Sequence, residues 1–249
     1  MEIKNNNKKI KVALLTGGSG PILNKMYQYL LINTDLKALV ISNKVKKKSF
    51  FIHTFREYGL WYIWQMTIKK VFYIIFNWCI SQKKIKNKGI KLLKWSYKKD
   101  EIDIINQLKE SGIELVITCG FGKIVSNDFI NSFNFCINIH PSFLPSYRGP
   151  EPIIWGLLFK DKKFGITAHL LDEQIDNGNI ISQSEIKGPI LPLHISVEIN
   201  LSKKIEVISE EIIKFVSDSK QNSTKQSKSQ YFPLPNKENR TKIFIDNKF

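Results

Sequence analysis

A doubly wound, mostly parallel α/β sheet with a small C-terminal extension is the fold this sequence predicts, on three observations. Short β-branched runs alternate with helical stretches from Lys8 onward. The first such run passes through a glycine turn directly into a helix. Glu114–Cys119 (ELVITC) is a continuous β-branched run, as expected of a central parallel strand covered on both faces. A chain of 249 residues can bury one sizeable core, and its 43% hydrophobic and 12% aromatic content argues against global disorder.

Taken in order, Lys8–Thr16 reads as the first strand, Gly17-Gly18-Ser19-Gly20-Pro21 as a turn and Ile22–Leu31 as a helix. The full Gly-x-Gly-x-x-Gly fingerprint is missing, so a phosphate contact and a plain tight turn both stay open. Lys37–Ser42 is the second strand. Residues 56–81 carry Trp64, Ile68, Val71, Phe72, Ile75 and Cys79 at helical spacing, with Trp61, Tyr62, Tyr73 and Ile74 around the other side. Gln65, Lys69 and Lys70 interrupt the run, which excludes a membrane span. A helix buried in the fold or at a homodimer contact is the favoured reading. A helix lying on a membrane surface, helped by Lys83, Lys84 and Lys86, is the alternative.

Lys91–Leu93 is a short strand, and Glu101–Gly112 a helix ending at a glycine cap. Gly120-Phe121-Gly122 turns away from Glu114–Cys119 towards a short helix near Asp128, and Cys136–His140 follows as a buried strand. Pro152–Phe159 reads as a helix, Gly165–Leu171 as a strand, Asp172–Asn179 as a loop leading to Ile180–Gln183, and Leu201–Phe215 as one amphipathic helix. The predicted organisation is a catalytic unit over 1–216, a mobile polar linker over 217–230 and a tail over 231–249 that packs back. There is no internal repeat.

The net charge of +16 accompanies heavy use of Lys, Asn and Ile throughout, which discounts it as a partner signal. Without clustered Arg and interleaved aromatics, no nucleic-acid partner is expected. Cys79, Cys119 and Cys136 lack metal or redox spacing and read as reduced core residues. Met1–Lys11 is polar with no signal-peptide core, and the expected location is cytoplasmic.

Asn138 and His140, two apart on a strand, point to the same face just before a proline-stiffened loop. No other His, Cys or carboxylate stands at ligand spacing from His140, so no metal is expected. No activated nucleophile is signalled either. An acid/base group beside an amide able to serve an oxyanion is what remains. Asp176, in an Asp-Asn-Gly turn, can hold the imidazole or accept a relayed proton. A His140 that merely caps its strand stays open from these residues alone. His169 reads as a strand histidine held by packing, and His53 and His194 as surface residues.

Asn138-Ile139-His140-Pro141-Ser142, Leu144-Pro145, Tyr147-Arg148-Gly149, Pro152-Ile153, Gly165-Ile166-Thr167, His169 and Leu171-Asp172-x-x-Ile175-Asp176-x-Gly178 follow one another in order. This series closely resembles the folate-dependent formyltransferases, strongly over about residues 114–183 and more loosely from residue 10. The resemblance implies a Rossmann-like sheet of the formyltransferase type, with N10-formyltetrahydrofolate as formyl donor and no metal. It implies that a primary amine attacks the formyl carbon, that Asn138 holds the oxyanion of the tetrahedral intermediate, and that His140 stabilises it and handles protons. Asp176, through water, would take or relay the amine's proton. By the same resemblance Phe121, Gly122, Lys123, Ile124, Val125, Leu171, Asp172 and Ile175 would hold the donor, with Gly18, Ser19, Ser142, Tyr147 and Arg148 as candidate acceptor contacts. For Arg148 a structural role is equally open.

Within the resemblance, methionyl-tRNA enzymes carry a further C-terminal domain, whereas about 66 residues follow Gln183 here. Glycinamide ribonucleotide enzymes hold the substrate phosphate on a Gly-Asn-Gly-Ser-Asn loop, which Gly17–Pro21 does not match. Tyr231-Phe232-Pro233 is similar to the start of the tail in aminosugar enzymes. The expected acceptor is therefore a nucleotide-linked amino sugar for surface polysaccharide assembly. Glycinamide ribonucleotide is the first alternative, and a non-catalytic, membrane-associated binding relative the other.

Overall fold

The computed structural model describes residues 9–42, 50–75, 88–188, 193–218, 222–228 and 230–236. Five strands run parallel: β1 (Lys11–Thr16), β2 (Asp35–Ser42), β3 (Lys91–Trp95), β4 (Leu115–Cys119) and β5 (Phe135–His140). Two more, β6 (Lys163–Leu170) and β7 (Ile180–Lys187), add antiparallel. The order across the seven-stranded sheet is β3-β2-β1-β4-β5-β6-β7. The chain starts in the middle, winds out to β3, and returns to lay β4 against the other side of β1. That reversal opens a crevice at the carboxyl ends of β1, β4 and β5, where open α/β sheets bind ligands.

Sequence chemistry explains the layers. Every residue of β4 is buried, as its unbroken run requires, whereas β7 at the edge is mostly half-exposed and carries Glu185 and Lys187. One face of the sheet packs Leu14, Ile117 and Ile139 against α1 (Pro21–Asn33) and the later helices through Met26, Val197, Leu201 and Ile208. The other face packs Leu15 and Val116 against Leu108 of α3 (Glu101–Glu110) and Phe129 of α4 (Asn127–Asn131), with Trp95 between. α5 (Pro152–Leu158) is buried along its whole length. Cys119 and Cys136 are free and buried, while Cys79 lies outside the described residues.

Three expectations are corrected. The stretch read as one helix from Leu201 is two, α6 (His194–Ser202) and α7 (Ile205–Ser217). Lys203 and Lys204 bond back to the carbonyls of Asn200 and Leu201, a tightened turn that closes α6 before Ile208 N–H reopens the helical ladder on Lys204. Second, the polar stretch expected to be mobile has a fixed course over residues 222–228: Thr224 pairs with Ile180 through both backbone groups.

The third correction concerns α2 (Phe50–Ile75), which covers the aromatic segment up to residue 75; residues 76–81 lie outside the described ones. Burial of the apolar stripe in the fold does not hold for Trp64, 51% exposed, Val71, 47% exposed, or Ile75, more so, while Ile68 and Phe72 are half-buried. The face that packs is a four-residue ladder, Trp61, Gln65, Lys69 and Tyr73, in which Gln65 and Tyr73 are buried. Spacing revealed the helix but could not tell which side met the protein. No helix among the described residues is long and apolar enough to cross a membrane.

Unfolding in denaturant tests this placement. Trp64→Ser should change stability by less than about 0.5 kcal/mol, whereas Met26→Ala, fully buried under the sheet, should cost about 2–5 kcal/mol. A Trp64→Ser loss as large as that of Met26→Ala would put the stripe in a packed contact.

Candidate active site

The register of three strands builds the site. Thr118 of β4 lies opposite Asn138 of β5, and Asn138 lies opposite His169 of β6. One row across the sheet thus holds a hydroxyl, an amide and an imidazole. Thr118 Oγ1 donates to Asn138 Oδ1 at 2.7 Å, which turns the amide nitrogen outward. Asn138 Nδ2 then lies 3.1 Å from His169 Nε2 and donates to Asp176 Oδ1 at 3.1 Å. His169 Nδ1 sits 2.8 Å from the carbonyl of Leu170, so it carries the ring proton and leaves Nε2 as an acceptor.

His140, two residues on, points into the same crevice, 5% exposed. Its Nε2 is 3.0 Å from the carbonyl of Tyr147, which fixes the neutral tautomer with its lone pair on Nδ1. That Nδ1 faces Asp176 Oδ2 at 3.6 Å. Burial lowers the His140 pKa below 6.5, and the nearby Asp176 charge only partly opposes this. Burial would raise the Asp176 carboxyl, but His140, His169 and the Gly149 amide outweigh it and hold the group at about 2. The pair at neutral pH is therefore an ionised carboxylate beside an uncharged imidazole.

Asp176 reaches this position from a left-handed backbone (φ 52°), a conformation a short polar side chain tolerates. The Gly149 N–H donates to Oδ2 at 2.9 Å, and Arg148 grips the Ile175 carbonyl through Nε and Nη2 at 3.1 and 2.7 Å. From the other side Gln226 Nε2 donates to the carbonyls of Asp176 and Gly178 at 3.2 and 2.8 Å. Gly178 has to be glycine, because a Cβ there would collide with the carbonyl of Leu170.

The crevice is a cleft of about 530 Å³. It is lined by all eight residues expected to hold the donor, Phe121–Val125 with Leu171, Asp172 and Ile175, and also by Gly18 and Ser19. Lys123 is tied back to the Ser96 carbonyl at 2.8 Å. Ser142, Tyr147 and Arg148 do not line the cleft. The Ser142 hydroxyl donates to the Ser146 carbonyl, the Tyr147 hydroxyl to Asp161, and Arg148 holds the Asp176 turn, so all three shape the loop after β5.

Sequence reasoning missed several contributors. Thr118 looked like any β-former; its place opposite Asn138 was the only signal. His169, set down to packing, is indeed 1% exposed but touches both Asn138 and Asp176. Gln226 sat inside a low-complexity stretch with nothing to mark it. His194, read as a surface residue, is 3% exposed and lines the cleft, because α2 covers it. His53 has its side chain outside the described residues. Among the described residues no group of three or more His, Cys, Asp or Glu side chains is arranged to hold a metal.

Comparison with known proteins places this geometry. The profile of the family described as "Formyl transferase" matches residues 74–224. A methionyl-tRNA formyltransferase of Borrelia duttonii is 42% identical over 88 residues, which are 35% of this chain and 28% of that relative. The matched stretch thus spans less than a third of that relative's length. A glycinamide ribonucleotide transformylase from Symbiobacterium toebii has a similar fold, with TM-score 0.64 and 17% identity over 91% of this chain and 99% of that one. So does a sugar 3N-formyl transferase solved in the presence of dTDP and 5-N-formyl-THF, with TM-score 0.60 and 22% identity over 91% of this chain and 70% of that one.

The site also sets a pH dependence. The folded His140 binds its proton less readily than the unfolded chain does, and burial, with the nearby Lys69, gives His194 the same sign. Stability should therefore be full above about pH 6.5 and decline as pH falls through the lowered folded values. Urea unfolding between pH 7.5 and 5 reads this. The slope should shrink in His140→Asn, and a flat wild-type profile would contradict the buried neutral imidazoles.

Proposed function

Because the chain belongs to the formyl transferase family, we propose that it moves a formyl group from N10-formyltetrahydrofolate to a primary amine of a small acceptor. The observation that carries this is the meeting of three groups at one point: Asn138 Nδ2 lies 3.1 Å from Asp176 Oδ1, and His140 Nδ1 lies 3.6 Å from Asp176 Oδ2. The attacking nitrogen must lose a proton while the departing one gains one, and the carbonyl oxygen gains charge in between. An amide donor beside an acid/base pair meets those needs.

The donor supplies the activated formyl group when bound. Phe121, Ile124, Val125, Leu171 and Ile175 offer its ring system an apolar slot, and the 121–125 backbone offers hydrogen-bonding groups. Asn138, kept from flipping by Thr118, presents its amide hydrogen to the carbonyl oxygen, which competes with His169 Nε2 for it. Asp176, ionised at neutral pH, accepts the amine's proton through water and passes it on. His140, with its Nδ1 lone pair towards Asp176, receives that proton in turn, stabilises the developing charge, and returns the proton to the departing N10 nitrogen as its bond to the formyl carbon breaks.

For the acceptor we favour an amino sugar linked to a nucleotide, used in surface polysaccharide assembly by a cytoplasmic enzyme. The short Gly17–Pro21 turn and the docked tail support this: Phe232 N–H bonds the Arg148 carbonyl at 2.7 Å, Trp155 Nε1 the Pro233 carbonyl at 2.8 Å, and Tyr231 reaches the cleft. Residues 1–216 would carry the reaction, with the chain beyond them bracing it through Gln226 and Tyr231. The second reading, glycinamide ribonucleotide, is favoured by the fold likeness to the Symbiobacterium toebii transformylase. The outward apolar stripe of α2 keeps a subunit contact or a membrane surface as its candidate partners.

Formyl transfer to a panel of dTDP- and UDP-linked amino sugars and to glycinamide ribonucleotide, read by product mass, tests the proposal. An amino sugar nucleotide should be formylated. His140→Ala and Asp176→Asn should each lower turnover by about 10²–10⁴-fold, with 5-formyltetrahydrofolate binding kept. Near wild-type turnover in either variant would remove it from the mechanism.

A further inference from the structure

The cleft continues past the Asn138–His140–Asp176 group to a second set of polar side chains that the chemistry above does not use. Lys69 and Tyr73 come from α2, Glu151 from the residue before α5, and His194 and Glu198 from α6, and all five line the cleft. Tyr73 donates its hydroxyl to Glu198 Oε2 at 2.6 Å. His194 Nε2 lies 3.4 Å from Lys69 Nζ and 3.7 Å from Glu151 Oε2. His194 Nδ1 lies 3.6 Å from Glu198 Oε2, too far for a hydrogen bond, and this buried atom has no hydrogen-bond partner. Its backbone N–H is held by Gln65 Oε1 at 2.9 Å, and the residue is 3% exposed.

Such a cluster is a poor stability device. Replacing buried charged groups by apolar ones of similar volume is often neutral or stabilising, so their presence against a cleft points to a ligand. The position says which one. In the formyl-transfer reading Phe121–Val125 and Leu171–Ile175 hold the donor, whereas this cluster supports the glycine turn after β1. Gly20, at φ 138°, packs so closely that a Cβ would come 2.5 Å from Glu198 Oε1 and 2.6 Å from the Tyr73 hydroxyl. The cluster therefore belongs to the acceptor's end of the cleft.

The charges say what part of the acceptor fits. Burial, followed by Lys69, lowers the His194 pKa, and burial and Glu198 raise that of Tyr73, so both rings are uncharged at neutral pH. Two carboxylates then face one ammonium, a balance that repels phosphate. Carboxylate oxygens that accept, with the Lys69 ammonium that donates, suit a group able to do both. A ring hydroxyl is such a group.

We propose that Lys69, Glu151, His194 and Glu198 form a subsite for the hydroxyl-bearing ring of the acceptor, and that α2 sets acceptor specificity by closing it. This rests on the formyl-transfer reading. Glu151, the more exposed of the two carboxylates at 27% of its side chain, is the residue to change, since Glu151→Gln keeps its shape. With a dTDP-linked amino sugar that the wild type formylates, Glu151→Gln and Lys69→Met should raise the acceptor KM by about tenfold to a hundredfold. The kcat should stay within about threefold, and 5-formyltetrahydrofolate should bind as in the wild type, the pattern of lost uniform binding.

A matching acceptor lacking one ring hydroxyl keeps the test valid if a variant folds poorly. Wild-type enzyme should lose affinity for the deoxy compound as it does for the mutation, and Glu151→Gln should no longer distinguish the two. Acceptor KM unchanged in both variants, or a deoxy analogue used as well as its parent, would overturn the subsite while leaving formyl transfer intact. A wild type that neither binds 5-formyltetrahydrofolate nor formylates any of these acceptors would instead overturn the formyl-transfer reading, and the subsite with it.

Discussion

The pairing of β4, β5 and β6 is the constraint on which the site depends. Thr118, Asn138 and His169 fall in one row only because both ladders hold a single register. A slip of one residue would turn Asn138 and His140 together to the opposite face. The apolar neighbours enforce the register: Ile137 and Ile139 pack on one face of the sheet and Cys136 on the other. Core packing thus carries the cost of aligning polar groups that contribute little to stability.

The second requirement is electrostatic. A carboxylate as buried as Asp176 stays ionised only where several donors converge on it. Asn138 and Gly149 supply hydrogen bonds, with two imidazoles nearby. These partners come from β5, β6 and the loop after β5, so the carboxylate draws three segments together. Arg148 and Gln226 spend their side chains on backbone carbonyls of the Asp176 turn rather than on a ligand. The left-handed backbone at Asp176 is retained because both flanks of the turn are held.

Much of this was legible in the sequence, for physical reasons. A strand alternates faces, so two polar residues two apart beside proline and glycine marked the chemical end of β5. Buried parallel strands announced themselves through β-branched runs such as Leu115–Cys119. What stayed hidden depended on contacts between distant segments. Helical spacing located α2 but not its orientation, and Gln65 and Lys69 of the inner ladder read only as interruptions of an apolar run. His194 seemed exposed because the groups that bury it, such as Gln65 on α2, lie far away in sequence. The stretch holding Gln226 has the composition of a mobile linker, and it is tied down by the pairing of Thr224 with β7 and by the bonds of Gln226 to the Asp176 turn.

The central claim is that the two ends of one cleft serve two substrates, with Asn138, His140 and Asp176 where they meet. A crystal structure with 5-formyltetrahydrofolate bound tests this most directly. The account predicts the ring system against Phe121–Val125 and Leu171–Ile175, with the formyl-bearing part beside Asn138 and the Lys69–His194–Glu198 end left open. Density for the folate at that second end, or away from Asn138 altogether, would contradict it.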